Sequence, residues 1–216
     1  MSVLITRIEP QKNKKNRYSL YSDKQFVLGI SDESLLAFKV HTGIELSDET
    51  IKQIEEKEYL IAIKEQAMRY LARRPHGCEE LRKKLSKKGY NANFINRIIH
   101  EFLEKNYLND EEFTRLFIQD EIGIKKSGPL LIKHKLITKG INATIAQKLL
   151  YDLYSENLQF KNCQWLALKK VKTVLAIPKE KKRKQLASYL TRKGFNWDVV
   201  KTVVLDIIRE EHDEEF

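Results

Sequence analysis

Residues 81–108, LRKKLSKKGYNANFINRIIHEFLEKNYL, decide how the rest of the chain is read. Their kernel is Leu85-x-x-Lys88-Gly89-Tyr90-Asn91. It returns as Leu136-x-x-Lys139-Gly140-Ile141-Asn142, and again as Leu190-x-x-Lys193-Gly194-Phe195-Asn196. The sequel matches as well. After the first glycine come Phe94/Ile95, Ile98/Ile99 and Phe102/Leu103; after the second, Ile145/Ala146, Leu149/Leu150 and Leu153/Tyr154; after the third, Val199/Val200, Val203/Val204 and Ile207/Ile208. Leu81, Ile132 and Leu186 each stand eight residues before a glycine. Self-similarity at a fixed period, here about fifty residues, is the signature of a repeat protein.

Elementary stereochemistry explains one copy. Apolar pairs four residues apart lay a broad stripe along one helix face. The leucine closes the preceding helix, and glycine then takes the left-handed C′ conformation at little steric cost. Asn91, Asn142 and Asn196 follow two residues later, where the next helix needs an N-cap acceptor. The spacing therefore predicts positive φ at Gly89, Gly140 and Gly194. The residues alone give a mainly α fold class: three tandem helical repeats behind a small β-meander and helix module. The expected boundaries are 1–58 for that module, then 59–108, 109–156 and 157–216 for the repeats, the last with an acidic tail.

The 216-residue chain carries a net charge of +10, and its placement is informative. Residues 1–60 hold 9 Lys/Arg against 10 Asp/Glu; residues 61–110, 11 against 6; residues 111–160, 7 against 6; residues 161–216, 13 against 8. Two basic lobes flank a nearly neutral middle, as expected of a chain that meets a polyanion at two places. The candidate phosphate contacts are Arg73, Arg74, Arg82, Lys83, Lys84, Lys87 and Lys88 in repeat one, and Lys181, Lys182, Arg183, Lys184, Arg192 and Lys193 in repeat three. Two distant cysteines, Cys78 and Cys163, make neither a disulfide framework nor a zinc set, which suits a reducing cytoplasm. No long apolar run marks a leader or a membrane span.

In chain order, Val3–Ile8, Arg17–Tyr21 and Phe26–Ile30 read as a three-stranded antiparallel meander, with Lys12-Asn13-Lys14-Lys15-Asn16 as a charged hairpin tip. Ser31-Asp32 cap a helix from Glu33 to His41, ended by Gly43. Ser47-Asp48 cap a longer one that runs to Ala72 if nothing breaks it near residue 59. Pro75 stops that helix, and Glu79-Glu80 open the next, where the helix dipole favours them. Asp110-Glu111-Glu112 start repeat two, expected to bury Phe113, Leu116 and Phe117. Residues 123–128 connect, and Pro129 takes the N1 position. In repeat three, Trp165-Leu166-x-Leu168 and Val171-x-x-Val174-Leu175 form the first helix, and Lys179–Lys184 follow Pro178. Trp165 reads as core, while Trp197 stays open between packing and contact.

Enzymatic chemistry has little to stand on. None of His41, His76, His100, His134 and His212 has a ligand or base spacing, and His76-x-Cys78-Glu79 reads as turn chemistry at a helix start. There is no phosphate-cradling glycine loop. The expectation is a non-enzyme without cofactor or metal.

The stretch AMRYLARRPHGCEELRKKLSKKGY, residues 67–90, resembles the signature of RecX, the bacterial regulator of RecA. Leu108–Phe113, Phe117-Ile118, Gly128-Pro129, Lys139-Gly140-Ile141 and Lys193-Gly194-Phe195 extend the likeness along the chain. The N-terminal strands resemble the extension of RecX proteins of Gram-positive type. Where the family often has a capping serine, this chain has Gly77, a loss of a few tenths of a kcal/mol. The resemblance implies three tandem three-helix repeats in an elongated curved array, and a non-enzymatic monomer that binds the RecA filament on single- or double-stranded DNA along its groove and inhibits its ATPase and strand exchange in recombination and repair. The residues alone also allow a basic helical DNA-binding module that acts without a recombinase.

Overall fold

A computed structural model describes residues 2–12, 15–173 and 178–213. The hairpin-tip residues Asn13 and Lys14, the helix positions Val174 and Leu175, and Glu214-Glu215 of the acidic tail lie outside the described residues. The chain forms two compact units, residues 1–73 with 85–101, and residues 74–84 with 102–216.

In the first unit, β2 (Arg7–Pro10), β3 (Arg17–Ser22) and β4 (Gln25–Ser31) form the antiparallel meander, in that order. The expected first strand, residues 3–8, is in fact split. β1 (Ser2–Leu4) pairs instead with β5 (Glu45–Ser47). At the switch the Ile5 N–H donates to the Ile44 carbonyl at 2.9 Å and the Thr6 N–H to Tyr21 at 2.8 Å. One continuous apolar run thus serves two sheets, and the three-residue β5 is too short to show alternation. Helix α1 (Asp32–Ala37) is capped by Ser31 and ends earlier than expected, because Lys39 already turns left-handed at φ 51°.

Helix α2 (Asp48–Leu71) is unbroken, with Ser47 accepting the Thr50 N–H at 3.1 Å. Glu58 ties it to the meander. Its Oε1 accepts the Ser31 N–H at 2.8 Å and the Ser31 hydroxyl at 2.6 Å, and Arg17 pairs with it at 2.9 Å. Burial pushes the Glu58 carboxyl up, but the serine hydrogen bonds and the Arg17 charge outweigh it and hold it below the ordinary range.

The remaining helices are α3 (Cys78–Ser86), α4 (Ala92–Glu104), α5 (Asp110–Gly123), α6 (Pro129–Thr138), α7 (Ala143–Leu153), α8 (Glu156–Val171), α9 (Lys179–Arg192) and α10 (Trp197–Asp213). In chain order, counting from α2, they fall in threes, and within the second unit α5–α7 pack together, as do α8–α10. Gly89, Gly140 and Gly194 have φ of 86°, 85° and 86°, as the motif requires. Asn91 and Asn142 cap as expected, accepting the N–H of Asn93 at 2.9 Å and of Thr144 at 2.8 Å. The motif leucines Leu85, Leu136 and Leu190, with Leu81, Ile132 and Leu186, are all fully buried, so the recurring letters are the core letters.

Two expectations fail on exposed apolar groups. Leu116 faces solvent, because α5 turns Phe113, Thr114, Ile118, Glu121 and Ile122 inward instead. Thr114 satisfies its hydroxyl on the Asp110 carbonyl at 2.6 Å, which makes a polar residue acceptable inside. Trp165 is 48% exposed and lies outside the core of α8, which is Asn162, Cys163, Leu166, Ala167 and Val171.

Within the second unit, the turn glycines do more than relieve backbone strain. A Cβ on Gly140 would lie 2.4 Å from the Cβ of Glu79, at the start of α3. A Cβ on Gly194 would lie 2.3 Å from the backbone N of Leu131, at the start of α6, and one on Gly128 would lie 2.3 Å from the Gly194 carbonyl. The same contact recurs, with each turn docked on the second helix of the repeat before it. At the later junction the Gly128 N–H donates to Lys193 O at 2.7 Å and the Leu130 N–H to Gly194 O at 3.0 Å. At the earlier one the Cys78 N–H donates to Asp110 Oδ1 at 2.7 Å. Asp110 therefore caps α3 from the next repeat, in place of the missing serine at Gly77.

Repeat two also carries a buried carboxylate. Glu121 is 1% exposed and accepts from Lys125 and Lys135 Nζ, each at 2.6 Å, and from Ser127 Oγ at 2.7 Å. Burial pushes its carboxyl up, but these hydrogen bonds and the Lys135 charge hold it below the usual range.

Two outcomes follow. Gly89 has open space around its Cβ position, so Gly89→Ala should cost on the order of 1 kcal/mol, from positive φ alone. Gly194→Ala and Gly128→Ala should cost about twice that or more, because backbone must move. Urea unfolding of the three variants checks the order; equal costs would contradict the docking. Glu121→Gln should destabilise by about 1–3 kcal/mol at neutral pH. The folded carboxyl pKa is depressed, so this stabilisation is present above the unfolded value and lost as pH falls from roughly 4.3 downward. Melting curves of wild type and variant should converge with acid, and a gap that widens instead would contradict the sign.

Candidate nucleic-acid interface

A polyanion contact needs cations that are exposed and not neutralised within the protein. In repeat two, most are neutralised there. Lys125 and Lys135 hold Glu121, Lys139 Nζ lies 3.3 Å from Glu80, and Arg115 pairs with Glu111 at 3.5 Å. Glu80 also receives Arg74. Burial pushes the Glu80 carboxyl up, but the Arg74 hydrogen bond and the Lys139 and Arg74 charges outweigh it and keep it ionised below its ordinary range. Four of the seven Lys and Arg of residues 111–160 are thus paired within the protein, and the pairs of Lys135 and Lys139 tie one helix to another.

The repeat-one candidates divide. In the first unit, Arg73, Lys87 and Lys88 are exposed. In the second, Lys83 is exposed on α3 and Lys84 is half-buried, while Arg74 pairs with Glu80 and Arg82 with Glu79. Their guanidinium groups are committed to carboxylates at the start of α3. In repeat three, Lys181, Arg183, Lys184 and Arg192 are exposed on α9. Lys182 is not: at 8% exposure it joins Leu186 and Leu190 on the inward face of α9. Its place in a run of basic residues hid the helical phase that turns one of them inside. Lys193 is half-buried, its ammonium 5.6 Å from the Tyr189 ring centre.

Sequence reasoning passed over other cations. Lys161, Lys169 and Lys172 are exposed on or at the end of α8, and Lys169 Nζ lies 5.2 Å from the Trp165 ring centre. The signal was the absence of any carboxylate from Asn157 to Lys179, which segment totals concealed.

The groups that suggested chemistry are spent structurally. His76 is 3% exposed, with Nδ1 2.8 Å from the Arg74 carbonyl, and burial holds its pKa below the ordinary value. Burial, aided by Asp110, pushes the Cys78 thiol up to about 12, and burial does the same to Cys163, so neither is a thiolate at neutral pH. Among the described residues no cluster of His, Cys, Asp and Glu could hold a metal ion, and no helix is long and apolar enough to cross a membrane.

Comparison with known proteins agrees with this architecture. Family models match in three places: the Regulatory protein RecX N-terminal domain at residues 3–47, the RecX first three-helix domain at 64–102, and the RecX second three-helix domain at 109–150. The regulatory protein RecX of Clostridium acetobutylicum is 30% identical over 211 residues, which cover 95% of this chain and 97% of that protein. That of Clostridioides difficile is 29% identical over 211 residues, 97% of this chain and 99% of the relative. A crystal structure of regulatory protein RecX superposes with a TM-score of 0.76 at 23% identity, over 93% of this chain and 98% of that one. RecX from Lactobacillus salivarius does so at 0.62 and 24% identity, over 69% and 97%. With three-helix units, the N-terminal module and near-complete coverage all in agreement, this chain belongs to the RecX family of regulatory proteins.

Proposed function

We propose that this chain regulates homologous recombination and DNA repair by binding the RecA filament on DNA and inhibiting its ATPase and strand exchange, acting as a monomer in the cytoplasm. Family membership supports the regulatory role. The observation that carries the DNA half is the partition of charge in the second unit. In repeat two Lys125, Lys135 and Lys139 are engaged by buried Glu121 and half-buried Glu80, while in repeat three Lys181, Arg183, Lys184 and Arg192 point outward. Outward lysines and arginines meet phosphates without reading bases, so binding is largely sequence-independent. The nearly neutral repeat two, with Leu130, Ile137 and Tyr151 exposed, is suited to protein. It supplies the contact with the recombinase in this reading.

The test is ATP hydrolysis by preformed RecA filaments on single-stranded DNA. A filament regulator should inhibit at amounts well below one per RecA protomer. A helical DNA-binding module with no recombinase partner should need enough protein to coat the DNA. Charge reversal at Lys181, Arg183 and Lys184 should weaken bare-DNA and filament binding together. It should also flatten the salt dependence, by about one unit of log–log slope for each phosphate the variant no longer neutralises. Polar substitution at Leu130, Ile137 and Tyr151 should weaken filament binding and spare bare DNA. If those three variants inhibit as wild type does, repeat two is not the protein contact. Inhibition only at coating amounts would favour the DNA-binding module.

A further inference from the structure

The outer face of α8 is unexplained by the core. Lys161, Trp165, Leu168, Lys169 and Lys172 fall within an arc of about 100° at 3.6 residues per turn. The inward residues of α8 are elsewhere on the helix, so Trp165 lies outside its buried face. It is 48% exposed, and Leu168 beside it is 42% exposed. The three lysines of the arc are exposed too. From Asn157 to Lys179 the chain has five lysines and no carboxylate, so the face carries charge of one sign. Lys169 Nζ, 5.2 Å from the indole centre, places a cation against the ring.

We infer that this face of α8 binds unpaired nucleic-acid bases, with Trp165 as the stacking ring and Lys161, Lys169 and Lys172 on the phosphates. The inference rests on the reading of this chain as a DNA-binding regulator, and adds which form of the strand repeat three contacts. The charge asks for a polyanion, and the exposed indole among lysines asks for one that also offers a flat π-surface. A single strand offers both. In a duplex the base faces are already stacked on one another, so the indole gains nothing there. Aromatic rings interleaved with cations are the common solution for single-strand binding without sequence preference. An acidic peptide would satisfy the lysines and leave the ring without a stacking partner.

The chain has two tryptophans, Trp165 and Trp197, which makes the test direct. In the Trp197→Phe protein, excited at the red edge where tyrosine does not absorb, emission comes from Trp165 alone. Titration with an oligothymidylate at low salt should quench it. Inorganic polyphosphate, and a duplex of equal length, should bind with little quenching. Trp165→Ala should weaken single-strand binding on the order of tenfold while leaving duplex affinity within about twofold, and Trp165→Phe should recover most of the loss. Equal quenching by polyphosphate, or parallel loss of single-strand and duplex affinity in Trp165→Ala, would overturn the stacking role while leaving the DNA-binding reading intact. No binding of the wild-type chain to either form of DNA at low salt would overturn both. A circular dichroism melt of each variant comes first. If Trp165→Ala does not fold, quenching in the Trp197→Phe protein decides the question.

Discussion

The second unit depends on backbone meeting backbone. Gly128 and Gly194 approach so closely that a methyl group on either would overlap the other segment, and two main-chain hydrogen bonds cross the gap. Glycine is needed there twice over, for left-handed φ at Gly194 and for absence of a side chain at both positions. The earlier junction solves the same problem with Gly140 against Glu79 and with Asp110 capping α3. A repeat cannot bury its apolar face alone, and stacked neighbours supply the missing wall. Here they also supply the hydrogen-bond partners of helix starts, whose first N–H groups are otherwise orphaned.

Charge is distributed by the same logic. Where helices of repeat two must be held, Lys125, Lys135 and Lys139 pair with Glu121 and Glu80. A buried carboxylate and its paired cations are weak evidence for stability, but the charge of those cations is compensated within the protein. On α9, Lys181, Arg183 and Lys184 point to solvent, and on the outer face of α8, Lys161, Lys169 and Lys172 do so with no carboxylate between them. A net charge alone cannot separate these two uses of lysine, and an account of nucleic-acid binding has to.

Much of the fold was legible because it is local. The Leu-x-x-Lys-Gly motif encodes helix stop, left-handed turn and restart within seven residues, and all three glycines obey it. What escaped the sequence was long-range. The split at Ile5–Thr6 depends on β5, forty residues away. Leu116 and Trp165 face solvent because buried polar groups, Thr114 in α5 and Asn162 in α8, occupy inward positions that apolar counting gives to them. Asn162 reaches the Ile122 carbonyl and the Tyr154 hydroxyl, each at 3.1 Å, partners that no local pattern could name. For the interface, the basic run in α9 was visible, but helical phase turned Lys182 inward and ion pairing withdrew Arg74 and Arg82.

The docked turn joins repeats two and three into one cooperative platform, and hydrogen exchange measures that directly. The amides of Gly128 and Leu130 lie before and in the first turn of α6, where exchange is ordinarily fast. Here they donate to Lys193 and Gly194 across the junction. They should be protected to nearly the same free energy as Ile132 and Leu190 within the helix cores. Protection no greater than that of a helix end in water would show that the repeats open independently, and would contradict the docked turn on which this description of the second unit rests.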